Sequence, residues 1–466
     1  MVCPTLGWML RNSAPDLPID LGSRFRMEEG SGIGRRARKA YPDGVLIDDR
    51  DPDRAMLRTH EVLADPSVNV VFEGAFGYGN YIARADILKR LNGGWHLIEV
   101  KSCVNDDQEL VDDLSYTLMV CLKARFTVTK ASLLLISKDY RLGMSDKELF
   151  IEIEHPDAFT RASEFSVFME QVDNDTIGPK PEAALKFDCR KCDYLKDCIG
   201  KGIEHHIFEL PRISEKKFNE LKEMGIFSLA ELPEWVELTS SQRRMVNSVR
   251  THSPIIGDGF EGMVNAVQWP TYYLDFETVM TALPLYADVA PFTQIPTQYS
   301  IHKCTDFGKV EAHYEYLADP SKDCRREIAL NLIKDLEGEG SIVCYSNFEK
   351  TTIGNLVKLF PDLETELNAL IGRLYDLEKV IREGFYHPDF HGKTSIKQTL
   401  PALVPGMNYN SLEIGKGSDA IAAFAYMAMG RYSNEETEQV RQNLLSYCEQ
   451  DTLAMVKLHE KLWSYV

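Results

Sequence analysis

The chain is 466 residues long, a length at which two or three domains are expected rather than one core. Its 44% hydrophobic and 26% charged residues are typical of a globular protein. Neither a membrane-length apolar run nor a basic-then-apolar leader is present, so we expect a cytoplasmic protein with no membrane partner. The formal net charge of -19 argues against a general attraction to nucleic acid, although it does not exclude a locally basic groove.

The first region, residues 1–202, begins with a helical stretch and continues with strand-like apolar runs, written "VNVVFEGAF", "YIARADIL", "WHLIEVKS" and "ASLLLIS". Asp86 lies on the second run. Glu99 and Lys101 lie on the third at positions i and i+2, which places both side chains on one face of a strand. Two carboxylates can hold one metal ion while the ammonium orients a water molecule for hydrolysis. A hairpin with an ordinary surface Glu–Lys pair fits these residues equally well.

A cysteine cluster closes the first region. Cys189, Cys192 and Cys198 follow one another in "CRKCDYLKDC", and Cys3 lies near the start of the chain. In a cytoplasmic protein such clustering favours a metal over disulfides. Four thiolates suit an iron–sulfur cluster or a structural zinc ion, and the irregular spacing with one distant ligand favours the iron–sulfur cluster.

The second region, residues 203–262, is expected to be a connector of short helices. In "LPRISEKKFNELKEMGIFSLAELPE" a helix is followed by a turn at Gly225 and a second short helix. This arrangement resembles a helix-hairpin-helix, whose turn amides can bind a phosphate. A plain two-helix linker also fits.

The third region, residues 263–466, begins with the apolar strand "YYLDFETVM", on which Asp275 and Glu277 share one face. Adjacent carboxylates repel each other unless a cation lies between them. Downstream we expect strands at "QYSIHKC", "VEAHYEYL" and "SIVCYS", a helix beginning near Glu349, and a continuing helix that carries Asp376. A final helix places Tyr447 and Asp451 one turn apart.

Together these acids could hold two divalent ions, Mg²⁺ or Mn²⁺, about 4 Å apart, the geometry for in-line hydrolysis of a phosphodiester. Taken singly, each motif is more typical of an ordinary structure, a strand with a polar end for the first and an amphipathic helix for the second. In the polar loop between them, Lys393 and Lys397 flank Ser395 at an expected helix start. These lysines could contact a backbone phosphate.

The order Asp275-x-Glu277, a middle acid, and Tyr447-x3-Asp451 resembles the DEDD exonucleases of the ribonuclease H-like superfamily, in the subclass with a Tyr-x3-Asp motif. The resemblance implies removal of nucleotides in the 3′-to-5′ direction. It implies that Asp275 bridges two metals, that Glu277 and Asp451 complete the first site, and that Tyr447 orients the attacking water. Glu349 stands where this family usually has aspartate, and Asp376 is its competitor.

The first region resembles RecB-like PD-(D/E)XK nucleases with an iron–sulfur clasp. The resemblance rests on the Cys-Pro start, the later Cys-x2-Cys-x5-Cys motif, and the strands that carry Asp86, Glu99 and Lys101. It implies that Cys3, Cys189, Cys192 and Cys198 hold a 4Fe–4S cluster that joins the ends of the domain. It also implies a leading segment before Cys3, and hence a natural start upstream.

Two positions depart from that pattern. Gly34 stands where the family has a histidine or an acid, with Glu29 nearby, and Thr117 and Cys121 stand where it has Gln-x3-Tyr. These departures indicate either a weakened nuclease or a domain that holds DNA.

We therefore expect an α/β multidomain protein. It would comprise a PD-(D/E)XK restriction-endonuclease-like domain at 1–202, a helical connector at 203–262 and a ribonuclease H-like mixed-sheet domain at 263–466. This order resembles an uncharacterised bacterial family that fuses the same two nuclease types. The expected activity is metal-dependent hydrolysis of DNA, as a 3′-to-5′ exonuclease on single-stranded ends. RNA as the substrate and a non-catalytic nucleic-acid-binding scaffold with decayed sites are the alternatives.

Overall fold

The computed structural model describes residues 3–12 and 19–466 and divides them into two compact units. The first unit runs up to Glu182 and includes Met280–Gln294, and the second comprises Ala183–Val279 and Ile295–Val466. The chain is an α/β multidomain protein with mixed sheets.

The compact units differ from the three regions expected from the sequence. The segment from Ala183 to residue 262 shares a core with the C-terminal region. Phe187, Phe208 and Phe218 contact one another through their rings and pack in the same apolar cluster as Met455 and Leu458. The cysteine cluster therefore belongs to the second unit.

The first unit contains a six-stranded mixed sheet in the order β1 to β6. Pairs β1–β2 and β4–β5 are parallel, and the other neighbours are antiparallel. The elements in chain order are α1 (Pro4–Asn12), α2 (Leu21–Arg38), β1 (Val45–Leu46), α3 (Pro52–Ala64), β2 (Val70–Tyr78), β3 (Tyr81–Leu91), β4 (Gly94–Val100), α4 (Gln108–Lys123), β5 (Val128–Ile136), β6 (Phe150–Glu154), α5 (Asp157–Val167) and α6 (Met169–Ile177).

The second unit is built around a five-stranded mixed sheet. Its elements are α7 (Glu215–Glu223), α8 (Ser240–Thr251), β7 (Ile255–Ile256), α9 (Phe260–Val264), β8 (Thr271–Val279), β9 (Ile295–Asp306), β10 (Lys309–Leu317), α10 (Arg325–Asp335), β11 (Ile342–Cys344), α11 (Phe348–Leu359), α12 (Glu364–Gly372), β12 (Leu374–Asp376), α13 (Leu377–Gly384), β13 (Phe385–Tyr386), α14 (Ile396–Leu403), α15 (Gly417–Ala428) and α16 (Asn434–Trp463).

The five strands lie in the order β10-β9-β8-β11-β12, with β8 at the centre. β8, β11 and β12 are parallel, whereas β9 and β10 are antiparallel to their neighbours. Short 3-10 turns at Phe187–Lys191, Ile207–Glu209, Leu229–Glu231, Pro361–Leu363 and Pro388–Phe390 link these elements.

The strands expected at the quoted apolar runs are present as β2, β3, β4, β5, β8, β9, β10 and β11. The continuous helix expected to carry Asp376 is wrong. Leu374 to Asp376 instead form β12, which pairs in parallel with Ile342 to Cys344, and Asp376 then caps α13. Within the connector, Gly225 takes a positive φ of 73°, as the predicted turn requires, but the second helix there is only the 3-10 turn Leu229–Glu231.

Among the described residues, no helix is long and apolar enough to cross a membrane.

Candidate metal centre

The side chains of strand β8 point alternately to the two faces of the sheet. Tyr272, Leu274 and Phe276 pack against the apolar cluster formed with α10, α11 and α12. Tyr273 belongs to the opposite cluster, and its hydroxyl lies 2.9 Å from Nδ1 of His459 on α16. Because the side chains of a strand alternate, the alternation on β8 directs Asp275 and Glu277 to the α16 side of the sheet.

Helix α16 completes the centre from the other side. A capping box of Ser433 and Glu436 begins the helix, and its buried face includes Tyr447 and Asp451, which are 3% and 8% exposed. Ligand oxygens of Asp275, Glu277 and Asp451 all lie within 4.8 Å of one another. These three acids, predicted from two motifs far apart in the sequence, are therefore brought together.

Glu349, the expected middle acid, lies at the start of α11 and is 2% exposed. The charge of Glu349 raises the pKa of Asp275, and a hydrogen bond with Asp275 lowers the pKa of Glu349, so the two carboxyl groups interact. Its Oε2 atom is buried and, within the described part of the chain, has no hydrogen-bond partner. A buried acceptor left in this way costs stability unless a cation or a donor satisfies it.

Asp376, the competitor of Glu349, has a different use. Its Oδ1 accepts the backbone N–H of Ser346 at 3.1 Å and of Lys379 at 3.2 Å, so it links the β11–α11 turn to the start of α13. Asp376 does contribute negative charge near Glu349. Because the Asp376 carboxylate is already used in capping, Glu349 is the better candidate for a metal ligand.

Burial dominates the electrostatics of the four acids. It raises the pKa of Glu277 to about 8, with the charge of Asp451 adding to the shift and Lys397 opposing it. It raises the pKa of Glu349 to about 8 and that of Asp451 to about 6. Burial and the charges of Asp451, Glu349 and Glu277 raise the pKa of Asp275 well above its usual value. The acids resist ionising together unless a cation balances them.

Two further side chains complete the centre. Lys397 on α14 lies 3.3 Å from the hydroxyl of Tyr447, and Tyr409 donates a 2.5 Å hydrogen bond to Oδ1 of Asp451. Sequence reasoning placed Lys397 in a phosphate-binding loop and did not identify Tyr409. Tyr409 stands in an irregular segment without periodicity, where a polar partner cannot be assigned by spacing.

All the candidate metal ligands at this centre are carboxylate oxygens, the ligand type that hard divalent cations such as Mg²⁺ and Mn²⁺ prefer. The unsatisfied Glu349 Oε2 and the raised pKa values are what a cation would relieve. The residues therefore fit the ion that the resemblance implies.

The second expected site, in the first unit, assembles in part. Asp86 on β3 accepts the backbone N–H of Val100 at 2.8 Å, and Lys101 Nζ lies 3.2 Å from Glu99 Oε1. Burial raises the pKa of Asp86 to about 6, with the charges of Glu73 and Asp113 adding to the shift. Burial also raises the pKa of Glu99 well above its usual value, and the charge of Asp86 adds to that shift. Glu99 Oε2 is buried and, among the described residues, lacks a hydrogen-bond partner.

Asp113 on α4, which sequence reasoning missed, also bonds Lys101. Burial alone would lower the pKa of Lys101, but Glu99 and Asp113 reverse this and raise it, so the ammonium is held as a cation. Glu29, the acid noted near the missing family position, accepts the backbone N–H of Ala282 at 2.7 Å, and burial raises its pKa to about 7.

The cysteines of the expected clasp fall in both units. Cys189, Cys192 and Cys198 are half-buried on successive tight turns of the second unit, and Cys3 belongs to the first. All ten cysteines lie in the described part of the chain, and none of them forms a disulfide. Thiol donors suit iron–sulfur or zinc chemistry.

A family model described as "Domain of unknown function (DUF2779)" matches residues 272–395. An uncharacterised protein of Mycoplasma genitalium is 24% identical over 223 residues, which are 44% of this chain and 33% of that protein. An uncharacterised protein of Ureaplasma parvum is 25% identical over 207 residues, 40% of this chain and 30% of its own length. The chain thus spans about a third of the length of these relatives. No solved structure matches it significantly.

Proposed function

We propose that the protein is a metal-dependent nuclease that removes nucleotides from single-stranded 3′ ends of DNA, through a ribonuclease H-like DEDD centre in the second unit. The observation that carries the proposal is the convergence of Asp275, Glu277 and Asp451, with ligand oxygens within 4.8 Å of one another. The buried Glu349 and the Tyr447–Lys397 pair support it.

Each side chain has a role that its surroundings suit. Asp275, Glu277, Glu349 and Asp451 would hold Mg²⁺ or Mn²⁺, which when bound polarises a phosphoryl oxygen and lowers the pKa of a bound water. Tyr447 is buried and its hydroxyl oxygen accepts a hydrogen bond from Lys397, so its O–H is left to donate a hydrogen bond that orients an attacking water. Tyr409 fixes the orientation of the Asp451 carboxylate.

Lys397 supplies the positive charge of the centre. Its ammonium lies over the rings of Tyr409 and Tyr447 at 5.3 and 5.4 Å, and it lowers the pKa of Glu277 and Asp451. A cation at this position favours the anionic phosphodiester in a protein whose net charge is -19. Lys397 would thus provide a local attraction for nucleic acid that the net charge of the chain does not provide.

We assign the first unit to a PD-(D/E)XK-like domain that engages DNA. Asp86, Glu99 and Lys101 supply two metal ligands and the ammonium of such a site. Lys101 is shared by Glu99 and Asp113, which supports a weakened nuclease or a DNA-holding role. Cys3, Cys189, Cys192 and Cys198 would bind a 4Fe–4S cluster or, alternatively, a structural Zn²⁺. Iron and sulfide analysis of anaerobically purified protein separates these two, since zinc without iron would exclude the cluster.

The proposal is tested with matched single-stranded DNA and RNA oligonucleotides carrying a 5′ label, in Mg²⁺, Mn²⁺ or a chelator. A 3′-to-5′ exonuclease shortens the labelled strand one nucleotide at a time and stops when the chelator is added. Preferential digestion of the RNA would assign the protein as an RNA 3′-exonuclease, because the carboxylate chemistry does not itself select the sugar. If neither the DNA nor the RNA is shortened in Mg²⁺ and in Mn²⁺, the protein is assigned as a non-catalytic scaffold.

A further inference from the structure

A second cluster of metal-ligand side chains lies in the second unit, outside the centre described above. His205 and Glu209 come from the segment at the 3-10 turn Ile207–Glu209, and His391 comes from the loop before α14. The two histidines are far apart in the sequence, yet both contact the carboxylate of Glu209. His205 Nδ1 lies 3.1 Å from Glu209 Oε2, and His391 Nδ1 lies 3.1 Å from Glu209 Oε1.

The spacing of the three side chains suits a single bound metal ion. With Zn–N and Zn–O bonds of about 2.1 Å, adjacent ligands of a tetrahedron lie about 3.4 Å apart. Each imidazole nitrogen lies 3.1 Å from a carboxylate oxygen of Glu209, close to that spacing, with His205 facing Oε2 and His391 facing Oε1. One ligand atom from each residue lies within 4.8 Å of the other two, and the imidazole rings are nearly parallel, with centroids 4.9 Å apart.

The cluster is also largely buried, and the backbone at His391 is held in an unusual conformation. His205 is 6% exposed, and the side chains of Glu209 and His391 are 13% and 32% exposed. His391 takes a left-handed conformation with a φ of 46°, a strained arrangement for a residue with a side chain. Strain of this kind persists where surrounding interactions hold the backbone in place.

Gly392 explains how the loop reaches Glu209. It has a φ of 76°, and a Cβ atom there would lie 2.3 Å from the carbonyl oxygen of Glu209. Its N–H donates to the hydroxyl of Tyr386 at 2.9 Å. Any other residue at this position would push the loop away from Glu209 and separate His391 from its partners.

We propose that His205, Glu209 and His391 bind one Zn²⁺ ion, with a fourth position open to water. Two imidazoles and a carboxylate suit this ion, whereas Mg²⁺ favours all-oxygen sites. The ion links the connector to the loop at residues 387–395. Helix α14 begins at Ile396 directly after that loop and carries Lys397, so the zinc site fixes the base from which Lys397 reaches Tyr447. The site shares no ligand with the cysteine cluster.

The experiment compares Zn²⁺ content in the full-length wild type, His391→Ala and Glu209→Gln after dialysis against metal-free buffer, with His387→Ala as the matched control. His387 is in the same loop and accepts the Asp389 N–H, so its variant loses a loop contact but no zinc ligand. We expect one zinc fewer per chain in His391→Ala and Glu209→Gln than in the wild type and His387→Ala. Glu209→Gln keeps the size of the side chain, so its loss of zinc does not require unfolding.

Substitution with Co²⁺ then identifies the ligand type, because the visible absorption spectrum of bound Co²⁺ depends on its ligands. The visible spectrum of a nitrogen–oxygen site should be lost in His391→Ala and unchanged in Cys192→Ser. Equal zinc content in the wild type and in both cluster variants would overturn the proposal. Loss of the cobalt spectrum in Cys192→Ser but not in His391→Ala would do the same, and would leave the three residues as a hydrogen-bonded cluster.

Discussion

The hydroxyl of Tyr409 donates a 2.5 Å hydrogen bond to Oδ1 of Asp451, although the two residues are 42 positions apart. The bond stabilises the ionised carboxylate and lowers its pKa, opposing the burial that raises it to about 6. Asp451 is thereby kept available as an anion in a site where its neighbours disfavour a further negative charge.

Tyr409→Phe should therefore lower activity by about tenfold or more, because a hydrogen bond to a charged group contributes roughly 1.5–3 kcal/mol. The loss should be greater at pH 6 than at pH 8, since removing the donor raises the pKa of Asp451 and shifts the acidic limb of kcat/KM upward. Tyr299→Phe is the control. It loses a 2.6 Å hydrogen bond to Asp335 in the layer away from the centre and should leave the acidic limb unmoved. An unshifted limb in Tyr409→Phe would contradict the role given to this bond.

Lys397→Met should weaken binding of single-stranded DNA and flatten its dependence on salt, because one phosphate contact is removed. It should also move the acidic limb of the pH profile upward, since Lys397 lowers the pKa of Glu277 and Asp451. Lys393→Met is the control, because it removes a charge from the loop before α14 and leaves the Lys397–Tyr447 contact in place. If the two variants had identical pH profiles, Lys397 would not act on the acids.

Glu349→Gln should reduce nuclease activity by roughly two orders of magnitude, the scale of removing one charge-stabilising group. Asp376→Asn should leave activity near wild type, because asparagine caps a helix about as well as aspartate. Rates on one labelled oligonucleotide, measured with Mn²⁺ titrated, compare the pair directly. The reverse ranking would make Asp376 the metal ligand and Glu349 a buried structural acid.

The stability of the metal-free protein should fall as the pH rises. Folding raises the pKa of Glu277 and Glu349 from 4.5 to about 8, so their contribution is fully present below pH 4.5 and is lost as the pH passes through about 8. Because a divalent cation binds the ionised acids, the increase in Tm caused by Mn²⁺ should be larger at pH 8 than at pH 6. Thermal melts of the wild type and Glu277→Gln measure this difference. A Mn²⁺ effect equal at both pH values, or unchanged in Glu277→Gln, would refute it.

Part of this architecture is predictable from local pattern alone. The alternation of β8 predicts that Asp275 and Glu277 share a face, and helical spacing predicts the same for Tyr447 and Asp451; the structure brings both pairs together. Such inferences succeed because the side-chain periods of strands and helices are set by backbone geometry.

Tertiary contacts set the remainder. Asp376 sits in a segment with helical composition, but pairing with Ile342 to Cys344 makes it the end of a strand and the cap of the next helix. Tyr409 and the His205–Glu209–His391 cluster lie in irregular segments, where no period relates a residue to its distant partner. The place of residues 183–262 in the second unit likewise depends on tertiary packing, because Phe187, Phe208 and Phe218 share an apolar cluster with Met455 and Leu458.

The most direct test asks which centre cuts. Asp275→Asn and Lys101→Ala would be compared with the wild type on 5′-labelled single-stranded DNA in Mn²⁺. The metal-free Tm of Asp275→Asn should be no lower than that of the wild type, because asparagine keeps the size of the side chain and cannot ionise among the other acids. We predict that Asp275→Asn abolishes stepwise shortening from the 3′ end while Lys101→Ala retains it. Full activity in Asp275→Asn together with its loss in Lys101→Ala would contradict the assignment of catalysis to the second unit.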